Sequence, residues 1–402
     1  MLTMRATNLD DEGARLEAIA HFTRFFAGEL VDFFGGVFAH PSLFDPGAPP
    51  RQKRLLRTGA PEIQDFVTSD GLPLRLSRYR GGAKGPVVLG HAYGVSSTMF
   101  SVDTIDTNFV EYLYAQGYDV WALDFRASPI YNNVPNPLFR QYTLDDIALH
   151  DWPAAIAKVR AVTRAKAVQV VAHCIGSVSF FMAMLSGMEG VESAIACQVA
   201  AHPIPAWPGR LKSALHLPSV LYHLGLKTFP TDENTQSSFG NQLLDRALRL
   251  TTPLQPGDEC NSPVCWRVNF LYGVSFLHSQ LNDATHKAIH EFFGFASLPS
   301  LSHIARIVRA GHVIAADGSE SYMPHLDRLK LPILFVQGLH NEVFIPPGTK
   351  KTYETLVAAN GKDYYERIVF PTYGHLDCFI GRNAAADIYP TMLRHLDRTR
   401  QP

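Results

Sequence analysis

Along residues 13–38 the apolar positions recur at helical spacing. Leu16, Ile19, Phe22, Phe25, Phe26, Leu30, Phe33, Phe34 and Val37 share one face, with Arg24, Glu29 and Asp32 opposite. This predicts an amphipathic arm whose Phe stripe packs on the main body. A lipid surface or a partner subunit is the alternative cover, and a homodimer through the arm would follow from the latter. Residues 40–60 are rich in Pro and basic side chains and read as a linker. Beyond them the period changes. Residues 62–80 predict two strands joined at Asp70-Gly71. Short apolar runs at Pro86–His91, Tyr118–Phe125, Val168–His173, Ser193–Ala201, Pro332–Gly338 and Tyr365–Phe370 read as buried parallel strands. Helical stretches such as 109–117 and 148–162 separate them, which predicts a doubly wound, mostly parallel α/β sheet. Between about 203 and 328 the rhythm stops. The sequence there is Pro-broken, aromatic-rich and helical, the mark of a cap inserted between two strands. The predicted layout is an arm and linker over 1–60, a first core part over 61–202, a cap over 203–328 and a second core part over 329–402.

The chain's 402 residues, 46% hydrophobic and 18% charged, suffice for such a core. Lys+Arg 36 against Asp+Glu 37 leaves a formal charge of -1, which gives no long-range attraction for nucleic acid. Five cysteines, an odd number, do not read as a disulfide framework. Cys260 and Cys265 are near enough in sequence to bridge, but reduced thiols are expected. Asp10, Asp11 and Glu12 precede any apolar run, unlike a secretory signal, and no run of about 18 apolar residues exists to span a membrane. A cytoplasmic setting is expected.

The strand Val168–His173 runs into Cys174-Ile175-Gly176-Ser177 and then an apolar helix. Ala172 and Gly176 flank Cys174 at spacing two, which suits a sharp strand-to-helix corner that lifts a nucleophile above the sheet edge. The following helix N-terminus favours a thiolate or an oxyanion. A buried structural cysteine is the plainer alternative. A Gly-His step beyond the last strand, Gly374-His375, is where a base would stand. The loop after Pro332–Gly338 offers Asn341 or Glu342 to orient that ring. A thiol–imidazole pair accepts a neutral amide in this role, so Asn341 is preferred, with Asp377 third. Backbone amides of Ile175 and Tyr93 would form the oxyanion hole.

With these residues in place, the order HAYGVSS, NFVEYLYAQGYDVWALDFRAS, VVAHCIGSVSF, PILFVQGLHNEVFIP and YGHLDCFIG resembles the α/β-hydrolase superfamily. The Asn108–Ser128 block is similar to acid lipases. The stretch 60–402, with CNSPVCWRVNFLYG, resembles the hydrolase-like domains fused behind cholesterol-oxidase-like flavin oxidoreductases. The cysteine corner also resembles polyhydroxyalkanoate synthases and dienelactone hydrolases. The resemblance implies an α/β-hydrolase fold, with Cys174 as nucleophile, His375 as base and Asn341 in the third position. No Gly-rich dinucleotide fingerprint is present, so no flavin, cofactor or metal is expected.

Trp207, Tyr222, Phe229, Trp266, Phe270, Tyr272, Phe276, Phe292, Phe293 and Phe295 fall in the predicted cap. They suit a greasy substrate path or a satellite core. His278, His286 and His290 lack an adjacent Glu and a further ligand at fixed spacing, so no zinc site is expected. The expected activity is cleavage of an ester, lactone or thioester of a small lipophilic acyl substrate through an acyl-cysteine. An acyltransferase or cyclising enzyme, and a non-catalytic ligand-binding protein of the same fold, are the alternatives.

Overall fold

The computed structural model describes residues 51–223, 228–230, 260 and 262–400. The arm expected over 13–38 lies outside them. The chain divides into two units, Met1–Ala48 with Asn234–Leu271 and Pro49–Glu233 with Tyr272–Pro402. Within the first, the indole N–H of Trp266 donates to the carbonyl of Cys260 at 3.1 Å. No disulfide forms among the described residues, and no described helix is long and apolar enough to cross a membrane.

The second unit is built on strands β1 (Glu62–Val67), β2 (Pro73–Arg80), β3 (Pro86–Gly90), β4 (Asp119–Asp124), β5 (Val168–His173) and β6 (Val191–Cys197). They are followed by β7 (Thr228–Pro230), β8 (Phe295–Ser297), β9 (Ile333–Gly338) and β10 (Tyr365–Phe370). The main sheet has eight strands in the order β1-β2-β4-β3-β5-β6-β9-β10. β1 and β2 pair antiparallel, β2 meets β4 antiparallel, and every other pairing is parallel. This is the α/β-hydrolase fold. β3, β4, β5 and β9 are buried at every position, which explains why their sequences are unbroken apolar runs rather than alternating ones. β1 and β2 lie at one edge and mix buried with exposed positions. Gly71, at φ +84°, closes their hairpin as Asp70-Gly71 predicted.

The chain leaves β3 toward β4 on one side and returns to β5 on the other. A crevice opens at the carboxyl ends of strands where the order reverses in this way. The crossover from β3 uses helix α1 (Phe109–Ala115), capped by a reciprocal Asn108–Glu111 box. That from β4 uses α2 (Trp152–Thr163), entered through a wide turn at Ile147–Asp151. Helix α3 (Ile175–Leu185) follows β5 and is buried along its whole length.

Two expectations need correction. The run 193–201 is not all strand. β6 stops at Cys197 because Gln198 adopts φ +74°, which takes the chain out of the sheet. The end of the expected linker is fastened rather than loose. Arg51 reaches Asp103 at 2.7 Å and Glu291 at 3.1 Å, while Arg54 reaches the buried Glu111 at 2.7 Å. In the stretch expected to lack strands comparable to those of the core, the three-residue β7 and β8 pair antiparallel.

Candidate active site

The corner after β5 is sharp. Cys174 has φ +56° and ψ −129°, and α3 begins at the next residue. A non-glycine residue held in such a region costs about 1–3 kcal/mol, so the surroundings must over-determine it. Here the Cys174 amide donates to Cys197 O at 3.1 Å, and Cys174 O accepts from Val178 N at 3.1 Å. Gly176 is required by space, since a Cβ there would lie 2.4 Å from His91 O and 2.9 Å from Gly90 O. The backbone amides of Tyr93 and Ile175 act on the Cys174 thiol in the direction that favours its charged form. Burial pushes that thiol up to about 12, with the two amides opposing the rise, so the resting group is S–H.

The loop after β3 that supplies the Tyr93 amide is tied down from two sides. Asp124, fully buried at the end of β4, accepts from Ser97 N at 2.9 Å, Ser97 Oγ at 2.8 Å and Ser128 Oγ at 2.7 Å. The Tyr93 hydroxyl accepts from Ser297 N at 2.9 Å, donates toward Ser297 O at 3.1 Å and meets Ser300 Oγ. The Tyr93 side chain is therefore a fastener, and its amide is the group that acts on the sulfur. Neither Asp124 nor Ser297 was singled out from sequence. A lone Asp ending an apolar strand was the available signal.

His375 lies on the loop after β10 and is buried. Its ring stands 4.7 Å from that of His173, tilted by 48°, and 6.2 Å from Phe344. Neither ring nitrogen has a hydrogen-bond partner among the described residues, and burial lowers the imidazole to about 3. His173 is buried with both nitrogens unpartnered among the described residues, and burial together with the nearby His375 and His91 holds it well below the usual range. His91 stacks on Phe125 at 3.7 Å, and burial lowers it to about 4. All three imidazoles are neutral at pH 7.

Asn341 is buried but is not brought to His375. Its Nδ2 donates to Gln198 Oε1 at 2.9 Å, and its Oδ1 accepts from Phe344 N at 3.0 Å. Gln198 is the residue that sequence reading missed. Its Oε1 also accepts from Gly338 N at 2.9 Å, and its Nε2 donates to Cys378 Sγ at 2.6 Å. A single polar residue in the run AIACQVAA was the signal, read there as part of a strand. Glu342 is half-buried, and its carbonyl accepts from Ala206 N at 3.2 Å. Asp377 Oδ2 accepts from Gly374 N at 2.8 Å and shapes the turn that carries His375.

The aromatic residues of the expected cap divide by environment. Phe276, Phe292 and Phe293 are buried, whereas Trp207 and Tyr222 are exposed, so they do not form one continuous lining. His278 and His286 are ring neighbours, edge-on with centroids 4.7 Å apart.

No protein-family model matches the chain. A probable lipase of Schizosaccharomyces pombe is 25% identical over 355 residues, covering 79% of this chain and 71% of the relative. Lipase member K of Mus musculus is 21% identical over 369 residues, covering 85% and 88%. Lipase lipl-1 of Caenorhabditis elegans is 24% identical over 369 residues, covering 84% and 89%. Among solved structures, an open-form lipase superposes with TM-score 0.56 at 15% identity, covering 85% of this chain and 100% of that one. DcsB in complex with its substrate analogue gives 0.53 at 12% identity, covering 85% and 99%. The structural likenesses establish the fold. The lipase relatives support an enzyme that hydrolyses ester bonds.

Proposed function

We propose that this chain cleaves an ester or thioester of a lipophilic acyl group through an acyl-cysteine on Cys174, with His375 as the base. The observation that carries the reading is the sharp corner that holds Cys174 at φ +56° at the head of a helix, where the Tyr93 and Ile175 amides favour charge on its sulfur. Two preset donors beside a nucleophile at a sharp corner form a site for a developing oxyanion. The lipase relatives support an ester carbonyl as the electrophile. The cysteine makes a thioester of the intermediate.

Thiol and imidazole start neutral. As Cys174 attacks the carbonyl, its proton passes to His375, the sulfur–carbon bond forms, and the carbonyl π electrons move to the oxygen held by the two amides. Collapse expels the leaving group, which takes the proton from His375. Water, deprotonated by the same ring, then releases the acid. No carboxylate is invoked. The lower proton affinity of a thiolate, compared with an alkoxide, makes a Cys–His dyad workable without one. Asn341 acts at one remove, by fixing the loop between β9 and Phe344 through Gln198.

A second reading, transfer to an alcohol or amine, follows from the same cysteine, since a thioester aminolyses more readily than an oxygen ester. The test is release of p-nitrophenol from esters of several acyl lengths, by wild type, Cys174→Ala and iodoacetamide-treated protein. Turnover is expected only from the untreated wild type. Turnover by Cys174→Ala would overturn the cysteine reading. Acyl transfer to added butanol or butylamine would select the second reading over hydrolysis.

A further inference from the structure

Three phenols meet above the oxyanion loop, and two of them are occupied. Tyr93 bonds Ser297 and Ser300, and Tyr142 interacts with both Tyr93 and Ser300. The third, Tyr272, differs. Its hydroxyl oxygen is buried and has no hydrogen-bond partner among the described residues. The ring meets Tyr93 edge-on at 6.2 Å. The hydroxyl stands 2.3 Å from where a Cβ on Gly94 would be, so it occupies space that only a glycine leaves open next to the Tyr93 peptide. That glycine is at φ +72°, a conformation that disfavours any other residue. Cys174 is within electrostatic reach of the phenol.

A buried hydroxyl without a partner is unfavourable in the resting protein, and such groups call for an explanation. A bound carbonyl oxygen supplies one. We infer that Tyr272 is a third donor of the oxyanion hole, giving its O–H to the same oxygen that the Tyr93 and Ile175 amides hold. The inference rests on the acyl-cysteine reading above. Burial beside Tyr93 and Cys174 holds the phenol well above its ordinary range, so it stays protonated and donates without giving up its proton. No bond to hydrogen is broken at Tyr272, and the proton from the thiol still goes to His375. Tyr272 belongs to the unexplained aromatic set of the expected cap, and its hydroxyl separates it from the phenylalanines there.

The test compares wild type, Tyr272→Phe and Cys174→Ala as full chains, using p-nitrophenyl butyrate and octanoate in single-turnover mixing. Removing one oxyanion donor costs about 10²–10³ in rate, so Tyr272→Phe is expected to slow both acylation and deacylation of Cys174 by about 10²-fold. Alkylation of Cys174 by iodoacetamide, which develops no oxyanion, is expected to stay within about twofold of wild type. Acylation in Tyr272→Phe at the wild-type rate would overturn the assignment while leaving the acyl-cysteine intact. An equal fall in alkylation would also overturn it, by showing that the phenol only packs the site. An acyl adduct absent from wild type, or turnover by Cys174→Ala, would instead remove the reading on which the inference stands.

Discussion

The two halves of the site are built to different degrees. On the nucleophile side every working group is held. Cys174 is pinned by Cys197 and Val178, two amides favour charge on its sulfur, and the loop supplying one of them hangs on Asp124. On the base side His375 has neither ring nitrogen engaged among the described residues, and the amide expected to orient it is occupied by Gln198. Under the proposed reading, the site of developing charge is held more tightly than the route of the proton. A thiol tolerates that division better than a hydroxyl, because its anion needs less help to form.

The largest expected effect is on the held side. Cys174→Ala should lose about 10⁴-fold or more in kcat/KM toward p-nitrophenyl esters, as nucleophile deletions do elsewhere. On the looser side, His375→Gln should lose about 10²–10⁴, the usual scale of a general base. A larger loss from His375→Gln than from Cys174→Ala would invert the comparison.

The neutral base gives a sign for the pH dependence. A base must be unprotonated to act, and His375 is lowered to about 3. The acid limb of kcat/KM should therefore lie below the ordinary histidine value of about 6.5. A limb at or above that value would show an imidazole stabilised as a cation. Stability follows the same direction. His375 and His91 bind protons more weakly folded than unfolded, so their contribution is present above about pH 6.5 and is lost as pH falls toward their folded values of about 3 and 4. Thermal melts from pH 7 to pH 4 should show Tm declining. A Tm that rises over that span would contradict the buried neutral rings.

Packing at the corner sets the next effect. Gly176→Ala drives a Cβ against His91 O and should cost about 1–3 kcal/mol, read as an earlier denaturant midpoint. The smallest change in chemistry is expected at Asn341. Asn341→Ala should lower stability by about 1–3 kcal/mol, through the unpaired Gln198 and Phe344 groups, with kcat/KM within about threefold. A loss comparable to that of His375→Gln would show that Asn341 orients the ring during turnover, and would erase the contrast between the halves.

Much of this architecture was legible in the sequence because burial on both faces leaves its trace in unbroken apolar runs. β3, β4, β5 and β9 fall where those runs fall, and β10, only partly buried, falls at the last of the expected strands. The sharp corner at Cys174 was legible for a related reason, since such turns demand small residues at set spacing. What the sequence hid lies in contacts between distant segments. Gln198 looked like part of a strand, yet it leaves the sheet at positive φ and claims Asn341, 143 residues away. The neutrality of His375 and His173 was hidden as well, because it follows from burial and not from residue type.

The most direct test of the account is intact mass followed by peptide mapping, after brief exposure of wild type and Cys174→Ala to p-nitrophenyl octanoate. The account predicts an acyl increment on the wild type alone, mapped to Cys174 and decaying with time in water. An increment mapped to another residue, or ester turnover that persists in Cys174→Ala, would contradict it.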